Sequence, residues 1–382
     1  MRLLLITTDF PPSIGGIQTY AFELAVRLAT RSEKFAVVSV QEAGSESVDD
    51  HLSFPVYRIR STSNLFPLRA VPLVASLCRQ DGFDVAFCIS WPSAVACLLA
   101  KLMGGPRIIL AAAHGRELLF NPGANVPIIG HLYERFRQFI TRRGVDRFYA
   151  VSRFTRDVLI DQGVSSSNVI VLNNGTDPTK FFAEAAPRLR SQLGVEHSKI
   201  ILTVSRLVRR KGIDVMIAAL PRVLKHFPEA LYVIVGKGPE FARLKRLSYE
   251  LGVDDSVLMI DQEIPDQLRA YYNACDVFVL PARQNSRDHE GFGIVLLEAS
   301  ACGIPVIGTH SGGIPDAVID GATGILVPPD SEHELAEAVV QILSNSDLAN
   351  RLGEAGREHV ISTANWDAVS NTLYQSMTAR SF

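Results

Sequence analysis

The sequence predicts an α/β protein built from two doubly wound domains, each with a parallel sheet. A chain of 382 residues is long for a single hydrophobic core, so two domains are expected. Short apolar runs alternate with amphipathic segments of helical length, which is typical of parallel βαβ units. A polar and irregular stretch at residues 178–197 interrupts this alternation and is suited to an interdomain linker.

The elements follow from this alternation in chain order. In the first half, apolar and β-branched runs predict strands at 3–8, 35–40, 56–59, 85–90, 107–112, 147–151 and 169–172. Amphipathic periodicity predicts helices between them at about 17–30, 68–79, 92–103, 127–143 and 153–162. In the second half the same signals predict strands at 199–205, 232–235, 256–260 and 276–280, and helices at 213–226, 294–302 and 366–378.

Composition excludes several protein classes. Apolar residues at 47% and charged residues at 20% describe a soluble globular chain, and no apolar run is long enough to span a bilayer. The apolar start of the chain is broken by Thr7, Thr8 and Asp9, so it is a first strand rather than a signal sequence. The five cysteines lie in apolar runs without a Cys-x2-Cys pair, which favours reduced, buried thiols in a cytoplasmic protein and argues against zinc.

Charge is distributed unevenly. Residues 1–180 hold 19 Lys and Arg against 15 Asp and Glu, whereas the remainder holds 19 against 25. An arginine-rich first half fits an anionic partner, such as a phosphorylated acceptor or an acidic membrane surface, and equally fits ordinary solvated arginine. The segment 133–143 sets arginines beside aromatic residues; it can be a membrane-docking helix, but a helix with its apolar side in the core is the favoured interpretation.

The stretch 290–298, Glu-Gly-Phe-Gly-Ile-Val-Leu-Leu-Glu, carries the strongest chemical signal. Gly291 and Gly293 allow a tight turn after the strand 276–280, and the helix starting near Ile294 then has unpaired N–H groups that attract phosphate. Carboxylates at Glu290 and Glu298 are natural acceptors for sugar hydroxyls, so a sugar nucleotide is predicted. A Rossmann-type turn with two surface glutamates is the alternative, although Leu occupies position 296 where that fingerprint needs a third glycine.

Three other loops follow predicted strands. Gly15 and Gly16 open the first helix and either bind phosphate or make a turn. His114 stands directly after a strand, where its imidazole can hydrogen-bond a sugar hydroxyl or serve as a core residue. Arg206 and Lys211 lie between a strand and a glycine, so they can neutralise a diphosphate or form a basic surface loop.

The Glu-x7-Glu spacing, with Pro281 before it and the sequence Ala-Cys-Gly-Ile-Pro-Val at 301–306 after it, resembles the donor site of glycosyltransferase family 4. These are retaining enzymes of the GT-B fold, in which two Rossmann-like domains face each other across a cleft, and the likeness covers nearly the whole chain. The resemblance implies an acceptor-side domain at 1–178, a linker at 179–198, a donor-side domain at 199–364 and a last helix, 365–382, that returns to the first domain.

The resemblance also implies roles for single residues. The candidate catalytic residues are those expected to contact the donor sugar or its diphosphate: His114, Glu290, Arg206 and Lys211. The candidate donor-binding residues are those of the glycine turns, of the segment that holds the base and of the 291–298 stretch: Gly15, Gly16, Ile264, Gly291, Phe292, Gly293, Ile294 and Glu298. Arg209 and Arg210 are further charges for which the resemblance supplies no role.

The function implied is transfer of a hexose from a nucleotide sugar to a hydroxyl acceptor. The loop 281–290 is similar to that of bacterial mannosyltransferases acting on phosphatidylinositol-type lipids, which favours GDP-mannose as donor and a lipid, lipid-linked or small glycan acceptor. No Asp-x-Asp motif is present, so neither a metal nor another cofactor is expected, and no nucleic acid partner is predicted. A cytoplasmic protein, with peripheral membrane contact through its first domain, fits this function.

Three alternatives remain open on the sequence. A transferase using UDP-glucose or UDP-N-acetylglucosamine shares every motif named above. A sugar-nucleotide epimerase can use the same two-domain fold and needs no acceptor. A non-catalytic sugar-nucleotide-binding protein is the third, although it has no need to keep Glu290, Lys211 and His114 together.

Overall fold

The computed structural model describes residues 1–119, 127–262, 267–284 and 288–379. The chain divides into two compact units, the first formed by residues 1–172 together with 366–382 and the second by 173–365. Each unit contains one parallel sheet with helices between its strands. The predicted α/β class with two parallel sheets is confirmed.

The first unit is built on a seven-stranded sheet with the order β3-β2-β1-β4-β5-β6-β7. Its strands are β1 (Arg2–Ile6), β2 (Lys34–Val40), β3 (Val56–Ile59), β4 (Val85–Cys88), β5 (Ile108–Ala113), β6 (Arg147–Ala150) and β7 (Val169–Val171). The central strands are buried on both faces, which is why they read as continuous apolar runs in the sequence. Leu4 and Ile6 of β1 pack on one face with Trp91 and Ala94 of the helix that follows β4.

The helices of the first unit connect these strands, and one of them comes from the end of the chain. They are α1 (Gly16–Ala29), α2 (Ser45–Asp49), α3 (Phe66–Arg69), α4 (Val71–Asp81), α5 (Trp91–Lys101), α6 (Arg116–Leu119), α7 (Pro127–Phe139), α8 (Arg153–Asp161) and α17 (Trp366–Thr378). A single helix was predicted at 68–79. That prediction is wrong, because Pro67 and Pro72 each occupy the first turn of a separate helix. The predicted helix 127–143 is α-helical only to Phe139 and continues as a π-helical turn at Ile140–Gly144.

The second unit has a six-stranded sheet with the order β10-β9-β8-β11-β12-β13. Its strands are β8 (Lys199–Val204), β9 (Ala230–Val235), β10 (Val257–Ile260), β11 (Val277–Val279), β12 (Val306–Thr309) and β13 (Ile325–Val327). Its helices are α9 (Pro187–Gln192), α10 (Ile213–Leu224), α11 (Phe241–Glu250), α12 (Leu268–Ala274), α13 (Ile294–Ala301), α14 (Ile314–Ala317), α15 (Glu332–Ser344) and α16 (Ser346–Ser362). Apolar side chains of α10, α11 and α15 cover one sheet face.

The last helix, α17, packs in the first unit although it follows the second in the chain. Its Trp366 is buried and its indole meets the ring of Tyr20 edge-on, with centroids 5.9 Å apart. Polar contacts add to this packing, since Arg27 Nε donates to Asp367 at 2.7 Å and Ser376 Oγ donates to the Tyr149 hydroxyl at 2.9 Å. The covered surface of α1 is therefore completed by residues more than three hundred positions away.

Residues 179–198, expected from the sequence to be a linker, are packed into the second unit. Arg190 of α9 donates to the Asp276 carboxylate at 2.7 Å and to the Ala274 carbonyl at 2.9 Å. The Glu184 N–H donates to the Asn273 side-chain oxygen at 2.8 Å. Hydrogen bonds of a few polar residues fix this stretch to the second unit. Because such contacts leave no apolar pattern in the sequence, its composition resembles that of a linker.

The five cysteines, Cys78, Cys88, Cys97, Cys275 and Cys302, are all free and buried, as the apolar sequence around each predicts. Burial raises the pKa of the Cys78 thiol to about 12, so it stays protonated at neutral pH. Among the described residues no helix combines the length and the apolar character needed to cross a bilayer.

Candidate functional site

The candidate site of the second unit lies at the point where the strand order reverses. The chain leaves β8 towards β9 on one side and leaves β11 towards β12 on the other. In doubly wound sheets the loops after two such strands part and leave a crevice that receives ligands. The loop 205–212 follows β8 and the loop 280–293 follows β11, so the predicted diphosphate and sugar residues belong to neighbouring loops.

A buried cluster of opposite charges joins these two loops. The Glu290 carboxylate accepts a hydrogen bond from Lys211 Nζ at 2.7 Å, and the Arg210 guanidinium binds the same oxygen. Only 11% of the Glu290 side chain and 10% of the Lys211 side chain are exposed. Arg210 Nε also lies 3.5 Å from an Asp288 oxygen. Two cations thus share one carboxylate at the switch point of the sheet.

The charge states of this cluster follow from burial and pairing. Burial alone raises the pKa of the Glu290 carboxyl, but the nearby positive charges of Lys211 and Arg210 outweigh burial and hold the pKa below its ordinary value. Burial also lowers the pKa of the Lys211 ammonium, an effect that Arg210 reinforces and Glu290 opposes. The carboxylate is therefore ionised at neutral pH, and the two cations beside it can also bind an anionic ligand.

Backbone contacts fix the two loops against each other. The Arg283 N–H donates to the Arg210 carbonyl at 2.8 Å, and the Gly313 N–H donates to the Glu290 carbonyl at 2.9 Å. Gly212 has φ of 65°, and a Cβ there would lie 1.8 Å from the Pro281 carbonyl oxygen, so no side chain fits. The cluster residues are held from behind by backbone, which limits their freedom before any ligand binds.

A second charged network surrounds these loops. Arg283 pairs with Asp214 at 2.8 Å and also with Asp330, while Arg243 pairs with Asp214 at 3.0 Å and with Glu240 at 2.5 Å. These residues lie in the loops or first helical turns that follow four different strands, β8, β9, β11 and β13. Because the Arg283 backbone also holds Arg210, the network connects the scaffold to the cluster.

The helix α13 begins beside the cluster. Its N-cap, Gly293, has φ of 90°, which glycine adopts without strain, and the adjoining Phe292 is buried. Its N-cap glycine has no side chain to cap the helix start and the first turn has no acidic residue, so the start is suited to an anion. Gly291 and Ile294 are partly exposed on either side of the turn.

Glu298 lies further along α13 and accepts a hydrogen bond from the Tyr272 hydroxyl at 2.6 Å. Burial raises the pKa of its carboxyl, and the Tyr272 hydroxyl opposes this effect. The two glutamates of the spaced pair therefore differ: Glu290 is held by cations, whereas Glu298 is held by a neutral phenol. The side chain of Glu298 remains partly exposed and can meet a ligand hydroxyl.

Of the remaining candidate residues of the second unit, the structure describes Arg206 but not Ile264. Arg206 is exposed on the loop after β8, and in the described part of the chain no ion pair engages its side chain. Ile264, predicted to hold the nucleotide base, lies outside the described residues. Within those residues no group of three or more His, Cys, Asp or Glu is placed to hold a metal ion.

The first unit carries its candidate residues at the carboxyl ends of β1 and β5. Gly16 starts α1 and is exposed, and Gly15 is the N-cap, where a Cβ would lie 2.5 Å from the Gln18 side-chain oxygen. Gln18 Nε2 in turn donates to the Asp9 carboxylate at 2.9 Å. No acidic residue lies in the first turn of α1, so its leading N–H groups are open to an anion.

His114 is held in one tautomer by its surroundings. Its Nε2 lies 2.9 Å from the Ile89 carbonyl, which only accepts, so Nε2 carries the proton. The ring packs edge-on against Tyr20 with centroids 4.9 Å apart, and the His114 N–H donates to the Glu117 carboxylate at 2.7 Å. In the tautomer with its proton on Nε2, Nδ1 is an acceptor, which suits a ligand hydroxyl.

One residue of the cluster was not assigned from the sequence. Arg210 looked like surplus charge beside Arg209, yet it binds Glu290 while Arg209 is exposed. The three-residue 3₁₀ turn at Arg209–Lys211 points consecutive residues in directions about 120° apart, so adjacent arginines meet different surroundings. An Arg-Arg-Lys-Gly run just after a strand could have indicated that more than one cation turns inward.

Comparison with known proteins is consistent along the chain. Residues 14–180 match the family model described as Glycosyltransferase Family 4, and residues 186–359 match that of Glycosyl transferases group 1. The GDP-mannose-dependent alpha-(1-6)-phosphatidylinositol monomannoside mannosyltransferase of Mycobacterium tuberculosis is 34% identical over 97% of both chains. This chain is a family 4 glycosyltransferase.

Two further comparisons extend this result for the glycosyltransferase. The GDP-mannose-dependent monoacylated alpha-(1-6)-phosphatidylinositol monomannoside mannosyltransferase of Corynebacterium glutamicum is 32% identical, covering 97% of this chain and 96% of that protein. The crystal structure of Anabaena HepE in complex with UDP aligns with a TM-score of 0.82 at 20% identity, covering 99% and 100% of the two chains. The latter likeness concerns the fold, and it confirms the predicted GT-B class.

Proposed function

We propose that this glycosyltransferase moves mannose from GDP-mannose to a hydroxyl of a phosphatidylinositol-mannoside-type lipid, with retention of the anomeric configuration. The names of relatives that share about a third of their residues over nearly the full length support this donor and acceptor class. The arrangement of the second unit supports a chemistry in which a sugar leaves a nucleoside diphosphate.

The observation that carries the proposal is the Glu290 carboxylate bound by Lys211 and Arg210 at the switch point of the sheet. A leaving diphosphate gains negative charge as the sugar departs, and two fixed cations beside an open helix start stabilise that charge. A carboxylate in the same place accepts hydrogen bonds from sugar hydroxyls. Cations for the diphosphate and a carboxylate for the hexose therefore occur together, as a nucleotide sugar requires.

The reaction forms one bond and breaks one. The acceptor hydroxyl oxygen bonds to C1 of mannose while the bond from C1 to the β-phosphate oxygen breaks. The hydroxyl proton passes to that departing phosphate oxygen, which leaves as part of GDP. Attack from the side of the leaving group gives retention. Lys211 and Arg206 would meet the diphosphate, Glu290 the mannose hydroxyls, and Nδ1 of His114 a sugar hydroxyl.

Charge neutralisation by side chains leads to a further part of the proposal, namely that transfer needs no divalent ion. Arg206 and Lys211 would supply the charge that magnesium supplies in other transferases. The measurement is GDP release with the enzyme treated with EDTA and then assayed with or without added magnesium or manganese. Equal rates support side-chain neutralisation, whereas a rate that returns only with metal contradicts it.

A lipid acceptor places the reaction at a membrane surface, so we include peripheral membrane contact on the cytoplasmic side in the proposal. The arginine-rich first half of the chain is the part whose charge suits anionic lipids. An acceptor presented at the surface would let a water-soluble donor and a lipid meet the same protein.

The deciding experiment offers GDP-mannose, UDP-glucose and UDP-N-acetylglucosamine separately, with and without a phosphatidylinositol mannoside. Nucleoside diphosphate release that needs both GDP-mannose and the lipid supports the proposal. Acceptor-dependent release from a UDP-sugar would reassign the donor. Interconversion of the free sugar nucleotide would indicate an epimerase, and binding without turnover would indicate a non-catalytic protein.

Stereochemistry is tested on the product of the same reaction. The one-bond coupling between C1 and its hydrogen in the new mannosyl residue distinguishes the α from the β product by NMR. Since the donor is α-linked, an α product supports retention, and a β product overturns that part of the proposal while leaving the transfer itself intact.

A further inference from the structure

Exposed apolar side chains of the first unit are concentrated on two neighbouring helices. Six of the thirteen large hydrophobic side chains exposed in the described part of the chain belong to α5, α7 or the residues just after α5. These six define the α5–α7 face: Leu99, Leu102, Met103, Leu132, Phe136 and Phe139. Leu102 is 85% exposed and Leu132 is 62% exposed. Soluble proteins rarely leave so many large apolar groups together unless the surface is covered in use.

The helix α5 packs against the π-helical turn Ile140–Gly144 that continues α7. The ring of Trp91, at the start of α5, also meets that of Tyr133, in the middle of α7, edge-on with centroids 6.0 Å apart. At the other end a Cβ on Gly144 would lie 3.1 Å from Leu98 Cδ2. The helices therefore run in the same direction, and the end of α5 lies nearest the turn Ile140–Gly144 that follows Phe139. The exposed apolar groups thus belong to neighbouring elements of the first unit.

The pattern along α7 is inverted relative to a solvated helix. Leu132, Phe136 and Phe139 follow the i, i+4, i+7 spacing of one helix face and are exposed. Arg137 is buried instead, with 4% of its side chain exposed and its guanidinium on Glu134. The interpretation favoured from sequence, with the apolar side in the core and arginines in water, is therefore wrong for these residues. Within the described part of the chain these phenylalanine side chains remain about half exposed.

The charge of this surface identifies the partner. Exposed Arg135, Arg142 and Arg143 flank the phenylalanines, and Lys101 is exposed near the end of α5. In residues 91–105 and 127–144 the single acidic residue is Glu134, and Arg137 already binds it. Lys101 is paired with Asp146 at 3.8 Å, so the cations that border the phenylalanines are the three arginines. Aromatic and leucine side chains bordered by arginines complement an anionic headgroup layer above an acyl region. A protein partner would need acidic groups around an apolar groove to match the same surface.

We infer that the α5–α7 face docks on an anionic lipid bilayer, with the apolar residues entering the headgroup boundary and the arginines binding lipid phosphates. This inference rests on the proposed function only in its purpose, since a lipid acceptor explains why docking would be useful. The face itself follows from exposure and charge in the first unit. Docking here would hold the protein where its acceptor lies, independently of which sugar it transfers.

The test is cosedimentation of the full chain with vesicles of phosphatidylcholine alone and of phosphatidylcholine mixed with phosphatidylglycerol. Binding is expected only to the mixed vesicles. Phe136→Ser with Phe139→Ser should weaken it at least about tenfold, since two aromatic side chains no longer leave water. Arg142→Gln with Arg143→Gln should weaken it about fivefold for each charge removed and make binding less sensitive to salt.

Matched control variants use exposed residues elsewhere. Tyr249→Ser with Ile361→Ser removes apolar groups that are 75% and 50% exposed in the second unit, and Arg246→Gln removes a charge whose side chain is 70% exposed. These variants should bind vesicles as the wild type does. Equal loss in control and test variants, or binding to neutral vesicles alone, would overturn the docking inference.

Other outcomes separate the inference from the proposed function. Vesicle binding that depends on the α5–α7 face in a protein that transfers no sugar would sink the proposed function and leave docking intact. Full transfer to a deacylated, water-soluble acceptor with no vesicle binding would contradict the docking inference and leave the proposed sugar transfer intact. Sedimentation velocity distinguishes a last case: if the Phe136→Ser and Phe139→Ser variant turns a dimer into a monomer and vesicle binding is absent, the face is an interface between copies.

Discussion

The two units use opposite means to present their candidate residues. In the first unit His114 is fixed by a backbone carbonyl and an aromatic ring, and Gly15 and Gly16 offer backbone N–H groups. In the second unit Glu290 is fixed by two buried cations and a surrounding network of charges. The carboxylates of the first edge, Asp9 and Glu117, accept from neutral donors, whereas Glu290 at the second edge is paired with cations.

The difference teaches where each kind of interaction is useful. A neutral imidazole holds its geometry at little electrostatic cost, so it suits recognition of a sugar hydroxyl. A buried carboxylate shared by two cations is costly to desolvate, and that cost is acceptable where charge must be stabilised during a reaction. We therefore expect substitutions in the second unit to act mainly on turnover and to depend on salt and pH, and those in the first unit to do so less.

The largest effect is expected for Lys211→Ala. Removing a cation that meets the leaving diphosphate should lower kcat by about a thousandfold, while Arg210 keeps Glu290 paired and the protein folded. GDP release at saturating donor measures the rate, and circular dichroism checks the fold. Arg209→Ala, in the same turn but exposed, is the control and should stay close to the wild-type rate. Near-normal turnover of Lys211→Ala would remove this residue from the scheme.

A smaller effect, of about a hundredfold on kcat/KM, is expected for His114→Ala, because one well-placed hydrogen bond to the sugar is lost. Since His114 is expected to contact the sugar through a hydrogen bond rather than an ion pair, the ratio of mutant to wild-type rates should change less with ionic strength than the corresponding ratio for Lys211→Ala. The exposed His51 provides the control substitution, His51→Ala. A strong salt dependence of the His114→Ala defect would show that the contrast between the two edges is false.

Arg210→Ala should lower turnover about tenfold, since this residue positions Glu290 and contributes to the field at the diphosphate. Arg210 is one of the charges that hold the pKa of Glu290 below its ordinary value, so its loss should raise that pKa. The acidic limb of the pH–rate profile should then move to higher pH, and Arg210→Lys should move it part of the way back. An unchanged profile with reduced rate would assign Arg210 a purely structural role.

The smallest effect is expected for Glu298→Gln. It is a gain in stability, whereas the other substitutions cause a loss of activity. Burial raises the pKa of this carboxyl, so ionisation at neutral pH costs folding free energy, and the variant should melt about 2 °C higher there. Below the ordinary carboxyl pKa of 4.5 the two proteins should melt alike, because the wild-type group is then protonated in both states. Donor binding should weaken in the same variant; a lower melting temperature at neutral pH would contradict the assigned cause.

Most of the fold was predictable because each strand appears in the sequence as a short apolar run. The strands at 85–88 and 277–279 were found within one or two residues for this reason. Prediction failed where tertiary contacts decide. Residues 179–198 look like a connection, but Arg190 anchors them to Asp276, a contact that no local pattern reveals. Pro67 and Pro72 indicate the break between α3 and α4 near residue 70, but the helical periodicity across them favoured a single helix.

The candidate site could be predicted from the sequence where glycine and charged residues follow a strand. Glu290 and Lys211 could be named from position alone, whereas their mutual pairing, the neutral partner of Glu298 and the tautomer of His114 depend on distances across loops. The role of Arg210 was not predicted, because the sequence alone does not distinguish two consecutive arginines. Their side chains meet different surroundings only because the 3₁₀ turn directs them apart. The exposed phenylalanines of α7 were misjudged, since a helical period fixes which residues share a face but not which way that face points.

The place of α17 has a consequence for protein engineering. The second unit enters and leaves at neighbouring points, because Thr176 pairs with Asn365 in a β-bridge and the Thr176 N–H donates to the Ala364 carbonyl at 3.0 Å. The segment 173–365 is thus an insert with adjoining ends, which could be exchanged for its counterpart from a relative with another donor. A fragment stopping at residue 172 would instead leave Tyr20 uncovered, so chimaeras should retain the final helix of the host.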